Sequence, residues 1–281
     1  MAVLGNLLVI CIVCADRHLH NPMYFFLTNL SVLDISSVTN TVPKLLEILL
    51  TQGNTISFNE CFLQMFCFLS STAVEFWLLT AMAYDRYVAI CNPLHYTLIM
   101  NKKVCAVLVA ISWIAGFLEA LPYYIILSHF SFCDSNVINH FFCDLTALLK
   151  LSCTDTSVID IMTLAEGAFT AFIPFLLTLI SYVFIISTIL SIRSTEGKRK
   201  AFSTCSSHLT VIILLYGTII GVYMQPKTVD SVNSNKLPTA FYVVTLPLLN
   251  PLIYSLRSKE LKVALKKVIS RRTTFSATEH F

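Results

Sequence analysis

Met82-Ala83-Tyr84-Asp85-Arg86-Tyr87-Val88-Ala89-Ile90-Cys91-Asn92-Pro93-Leu94-His95-Tyr96 closes an apolar run that begins at Cys61. An acid followed directly by an arginine is costly inside hydrocarbon, so Asp85-Arg86-Tyr87 marks a membrane span ending at the water boundary. On either side of it, apolar segments occupy about 1–15, 24–46, 61–90, 103–124, 160–190, 200–224 and 238–256, each bounded by charge or by Pro, Asn and Gly clusters. This gives seven spans and a tail over 257–281. The fold expected is an all-α membrane protein, a seven-helix bundle.

Composition supports lipid as the solvent. A chain of 281 residues that is 56% hydrophobic and 12% charged has more apolar surface than a soluble core can hide. The links after spans one, three, five and seven carry Arg17, Arg86, Lys102, Lys103, Arg193, Lys198, Arg199, Lys200 and Arg257, whereas Lys44, Lys150, Lys227 and Lys236 are the basic residues of the other side. The positive-inside bias therefore sets those links and the C-terminus in the cytosol and the N-terminus outside. After span seven, Leu261, Ala264, Leu265, Val268 and Ile269 recur at helical spacing among lysines, as in a short amphipathic helix lying on the inner leaflet.

Two acids stand deep inside spans. At 1.5 Å per residue, Asp34 lies about 16 Å from Met23 and Glu75 about 15 Å from Asp85 on a helix of opposite direction, so the carboxylates share a depth. They are either protonated packing groups or a shared cation site, and Asn250 suits both arrangements. Glu119 and Glu166 lie nearer the outer surface, where they either snorkel to water or face a pocket. One face of span three carries Gln64, Phe68, Thr72, Glu75, Leu79 and Arg86 at three-and-four spacing. With Phe169 and Thr170 on span five, and Tyr216, Ile219, Ile220 and Tyr223 on span six, its upper part would close a mostly apolar ligand cavity.

Of the ten cysteines, Cys61, Cys133, Cys143 and Cys153 fall on the outer side, and Cys61 has three arithmetically allowed partners in the long loop after span four. That loop exceeds thirty residues without obvious strands or helices. No phosphate loop, nucleophile elbow, metal-protease helix or paired Cys-x-x-Cys site occurs, which argues against an enzyme. No internal repeat supports the alternative of a transporter.

The stretch at 82–96, together with Pro22-Met23-Tyr24-Phe25-Phe26-Leu27, Lys200-Ala201-Phe202-Ser203-Thr204-Cys205-Ser206-Ser207-His208-Leu209 and Pro247-Leu248-Leu249-Asn250-Pro251-Leu252-Ile253-Tyr254-Ser255-Leu256-Arg257, resembles the rhodopsin-like seven-helix receptors, and within them the olfactory receptors. The resemblance implies bridges Cys61–Cys143 and Cys133–Cys153. It implies a coupling switch made of Asp85, Arg86, Tyr87, Tyr182, His208, Asn250, Pro251 and Tyr254, with Pro174 as a further helix break. It favours a sodium ion at Asp34 and Glu75 and no other cofactor. The partners implied are a neutral, small hydrophobic odorant, a stimulatory G protein that raises cyclic AMP, and plasma-membrane lipid, with no nucleic acid.

Gly5-Asn6 matches the middle of the family's first span, and about 15 residues reach only ~22 Å as a helix. The expectation is a truncated first helix, poor export, and a non-signalling receptor copy as the alternative function. Ser258 departs from the family's usual Asn.

Overall fold

A computed structural model describes residues 1–51, 55–133, 137–138, 140–223, 242–254 and 260–265, the side chains of 221–223 excepted. The helices are α1 Ala2–Ala15, α2 Pro22–Thr51, α3 Phe58–Cys91, α4 Lys102–Ser128, α5 Ser157–Ser191, α6 Thr195–Tyr223 and α7 Tyr242–Tyr254. Together they form a seven-helix bundle. By length and hydropathy α3, α4, α5 and α6 are able to cross a membrane, while α1 and α7 are shorter apolar helices among the described residues.

Local chemistry explains the starts. Before α3, the Ser57 hydroxyl accepts the Glu60 N–H and the Glu60 carboxylate accepts the Ser57 N–H at 3.1 Å, a reciprocal cap. The Ser57 hydroxyl also donates to the Glu60 carboxylate at 2.8 Å, and this bond, with that from the Ser57 N–H, holds the exposed Glu60 carboxyl below the usual carboxylate range. Asn101 caps α4 by accepting from Val104 N–H at 3.1 Å. At the other side of the basic link, α6 begins at Thr195, so Lys198, Arg199 and Lys200 are helical rather than part of a loop.

α3 is the axis of the bundle. α4 lies tightly against it at Gly116, where a Cβ would stand 2.7 Å from the Ser70 carbonyl oxygen. α1 is tied to α7 by Asn6, whose amide donates to the Pro247 carbonyl at 2.9 Å. α5 is not a uniform helix: Gly167–Phe172 is wound as a π-helix just before Pro174, which has no N–H to continue the ladder. The Ala171 carbonyl accepts from the Tyr216 hydroxyl at 3.4 Å and the Pro174 carbonyl from Thr80 at 3.4 Å, so neighbouring helices take up that stretch.

The loop between α4 and α5 has more structure than its sequence suggests. Cys61 is joined to Cys143 and Cys133 to Cys153, with Cα separations of 5.3 and 5.8 Å. Phe132 pairs with Ser152 in an antiparallel bridge, and a helical turn, Leu145–Leu149, starts at the cap Asp144. Cys61, Phe62, Met65, Tyr123, Leu127, Leu145, Leu148 and Ile159 bury one another beneath it as a small separate core.

In the described part of the C-terminal segment, residues 260–265 are helical, with Leu261 and Ala264 buried and Val263 exposed. The Tyr24 hydroxyl donates to Glu260 at 3.0 Å. Val268, Ile269, Arg257, Ser258, Lys227, Lys236 and the expected start of span seven at 238 lie outside the described residues.

Candidate functional site

Two polar sites interrupt the apolar interior. At the first, the Arg86 side chain donates through Nε to Asp85 Oδ2 at 2.9 Å and through its terminal nitrogen to the same oxygen. Both residues are buried. A charge taken out of water needs a partner, and here the chain supplies one from the adjacent position. The other carboxylate oxygen accepts from the Tyr96 hydroxyl at 2.7 Å. Tyr96 arrives there because Pro93–His95 forms a 3₁₀ turn that folds the end of the 82–96 stretch back on its beginning. Burial, and then the Asp85 carboxylate, push the Tyr96 phenol above its ordinary range, so it remains a donor.

Beside this pair the Tyr182 hydroxyl lies 2.9 Å from His208 Nδ1, with the rings stacked at 6.0 Å. A cavity of about 10 Å³ is lined by Met23, Met82, Asp85, Arg86, Thr204, His208 and Tyr254. That is near the smallest volume that holds one water. The buried Tyr254 hydroxyl has no hydrogen-bond partner among the described residues. Tyr87 instead packs outward, its ring 5.9 Å from that of Phe184. The expected switch residues Asp85, Arg86, Tyr182, His208 and Tyr254 are thus gathered at one end of the bundle, and Tyr96 joins them. Sequence reasoning left Tyr96 out, although its place within the 15-residue stretch was the available signal.

The second site lies midway along the bundle. Asn250 donates through its amide to both oxygens of Asp34, at 3.2 and 3.1 Å. The Tyr242 hydroxyl donates to Glu75 Oε2 at 2.9 Å and stands 3.3 Å from the Thr72 hydroxyl. Both carboxylates line one cavity of about 20 Å³, shared with Ser37, Ser71, Thr72, Phe68 and Tyr242. Its size suits a water or a small ion, far below the several hundred cubic ångströms of a typical ligand pocket. Carboxylates and hydroxyls are the oxygen donors a hard cation takes, so the residues fit sodium; among the described residues no group of three His, Cys, Asp or Glu suggests a transition metal. Pro251 neighbours Asn250 and is buried against α1, with its ring carbon 3.2 Å from where a Cβ on Gly5 would stand.

The residues expected to line a ligand cavity are only partly brought together. Gln64 is a clamp: its amide donates to the Asn40 carbonyl at 2.9 Å and accepts from the Cys143 N–H at 2.9 Å, while Asn40 donates back to the Gln64 carbonyl at 3.0 Å. Phe68 packs on Phe142 at 4.8 Å. Thr170 donates to Glu119, which also accepts from the Trp77 indole at 3.3 Å, while near Glu166 on α5 the Thr163 hydroxyl accepts from Tyr123 at 3.5 Å. Tyr216 lies between Phe76 and Phe175 at 5.4 and 5.0 Å, and Ile219 packs on the core. Phe169 and Ile220 do not face the interior; they are 49% and 52% exposed on the outer surface. Consecutive residues on a helix point in well-separated directions, so Thr170 inward leaves Phe169 outward, and Ile219 does the same to Ile220. The Tyr223 side chain lies outside the described residues.

Comparison with known proteins bears on this architecture. A family model described as olfactory receptor matches residues 1–272. The chain is 47% identical over 274 residues to olfactory receptor 1J2 of Homo sapiens, covering 98% of this chain and 88% of that protein. It is 48% identical over 276 residues to olfactory receptor 1J1 of Mus musculus, with the same two coverages. With olfactory receptor 1F1 of Homo sapiens it shares 49% identity over 269 residues, covering 96% and 86%. A match of this length and identity, over a seven-helix bundle, settles the family: the chain belongs to the olfactory receptors.

Proposed function

We propose that this chain is a plasma-membrane receptor for a small, neutral, mostly hydrophobic odorant and that it activates a stimulatory G protein, raising cyclic AMP. The observation that carries the proposal is Arg86, a buried cation held by Asp85, which is held in turn by Tyr96. Such a group is stable in the packed state and available to a partner once the packing at its end of the bundle opens, as a ligand-biased two-state element requires. In this reading the Arg86 end faces the cytosol, the disulfide-stapled loop faces outward, and the odorant binds between α3, α5 and α6 near Phe68, Thr72 and Tyr216. Sodium at Asp34 and Glu75 favours the closed state, because two facing carboxylates otherwise need a proton to coexist.

The test is reporter-measured cyclic AMP against an odorant panel in cells displaying the chain, with Arg86→Ala as the paired variant. An odorant response that disappears in Arg86→Ala at matched surface density supports the proposal. A response that persists in that variant refutes it. Silence of the displayed wild type across the panel favours the non-signalling alternative, and substrate uptake without cyclic AMP favours a transporter.

A further inference from the structure

Tyr242 is where the expected ligand-facing side of the bundle meets the acidic cavity. Its ring stands edge-on to Phe68 at 6.2 Å, and its hydroxyl reaches past Thr72 to Glu75. Among the described residues Tyr242 is the hydrogen-bond donor that serves Glu75. Eight residues further along α7, Asn250 serves Asp34 in the same manner. α7 is therefore fastened twice, to α3 through Glu75 and to α2 through Asp34, each time by a neutral donor on a buried carboxylate. The two fastenings are separated by about 12 Å along the helix.

They differ in what lies next to them. Asn250 is buried and does not itself line the cavity, although its acceptor Asp34 does, whereas Tyr242 lines the cavity and shares its surroundings with Phe68 and Thr72. Of the two donors, Tyr242 is the one that also touches Phe68 and Thr72, residues of the expected odorant site. A hydrogen bond to a carboxylate is stronger than one between neutral groups, and its loss in a water-poor site leaves the acceptor needing a proton or a cation.

We propose that Tyr242 is a positioning residue that couples the odorant site to the acidic cavity, its hydroxyl holding Glu75 and thereby keeping α7 against α3 in the resting state. The inference rests on the receptor reading given above. Movement of the Tyr242 ring, by ligand or by mutation, releases Glu75 and loosens the α3–α7 contact, favouring the signalling state.

The experiment is a double-mutant cycle on ligand-independent cyclic AMP at matched surface density, using wild type, Tyr242→Phe, Glu75→Gln and the double variant, with Arg86→Ala as the control for receptor signalling. Phenylalanine keeps the ring and its packing, so Tyr242→Phe isolates the hydroxyl. Its expected effect is a rise in basal signal on the order of tenfold, the scale of one lost charge-assisted hydrogen bond. In the Glu75→Gln background the same change is expected to add less than about twofold, because the charged acceptor is already gone.

Equal fold-changes for Tyr242→Phe in the two backgrounds, with an Arg86-dependent wild-type signal, overturn the inference alone. A wild-type signal that Arg86→Ala does not lower overturns the receptor reading and this inference with it. Should a variant be retained inside the cell, the same cycle is read as nucleotide exchange on total membranes normalised to receptor mass, with the same two outcomes.

Discussion

The two ends of the bundle are closed by different chemistry. At one end the Cys61–Cys143 and Cys133–Cys153 bonds fix the loop, and Gln64 fastens it to α2 and α3 through two backbone contacts. At the other, a buried ion pair within α3, capped by the Tyr96 hydroxyl, lies beside the Tyr182–His208 contact that joins α5 to α6, with no covalent tie among the described residues. Covalent closure limits motion at the loop end, while closure by hydrogen bonds leaves the Arg86 end free to rearrange at the cost of a few weak interactions. A transition that begins with ligand between the helices is thus directed toward the Arg86 end.

This contrast is open to attack from both sides. Asp85→Ala leaves a guanidinium buried without its counter-charge, a loss of about 3–5 kcal/mol for a broken buried pair. The expected result is a raised basal cyclic AMP signal together with reduced surface labelling, and an unchanged value for both would mean that the pair does not hold this end closed. Cys143→Ser opens the loop staple and is expected to cost about 2–5 kcal/mol, read as intracellular retention and, in detergent, a lower melting temperature. Peptide mapping without reduction checks the premise, since a free Cys61 thiol in folded protein contradicts it.

A finer cut separates the noncovalent part of the loop closure from the covalent part. Gln64→Ala leaves the Asn40 carbonyl and the Cys143 N–H without their amide partner, at a cost of about 1–3 kcal/mol. The disulfides should survive, and hydrogen exchange at Cys143 should quicken. Smallest is the effect of Glu75→Gln between the two ends: it should abolish the dependence of basal signalling on sodium, a change of less than about tenfold if the ion biases rather than locks the switch. Identical sodium curves for wild type and variant would leave Asp34 and Glu75 as packing groups.

The sequence carried much of the architecture because lipid enforces it. Apolar length, terminal charge and the Asp85-Arg86-Tyr87 boundary are local features, and the apolar segments at about 24–46, 61–90, 103–124 and 160–190 fall within α2, α3, α4 and α5. Matched counting along α2 and α3 also placed Asp34 and Glu75 at one depth, and the structure has them lining one cavity. The failures are tertiary. Leu145–Leu149 is a helix of five residues, too short to display a period. Gln64 sits on the expected face of α3, yet its amide is consumed by the backbones of Asn40 and Cys143, partners that no spacing within α3 reveals. Tyr242 was passed over for the same reason: in an apolar run it reads as packing, and its role depends on a carboxylate from another helix. The irregular turn of α5 has Pro174 as its local mark, but the residues whose hydroxyls donate to the carbonyls of Ala171 and Pro174, Tyr216 and Thr80, are far away in the chain.

That irregular turn has a consequence for phase. A π-helical turn accommodates one residue more than an α-turn, so the part of α5 before Gly167 and the part after Phe172 are offset by about 100° relative to an unbroken helix. The offset decides which azimuth Tyr182 occupies, and Tyr182 faces His208 because of it. Deleting a single residue from 167–172 would allow the turn to anneal into regular α-helix, and because the lost residue and the lost offset cancel, the Tyr182 hydroxyl would stay turned toward α6. Deleting one residue between Phe172 and Tyr182 instead, with the turn intact, would rotate everything below by about 100° like a key in a lock and carry that hydroxyl away from α6.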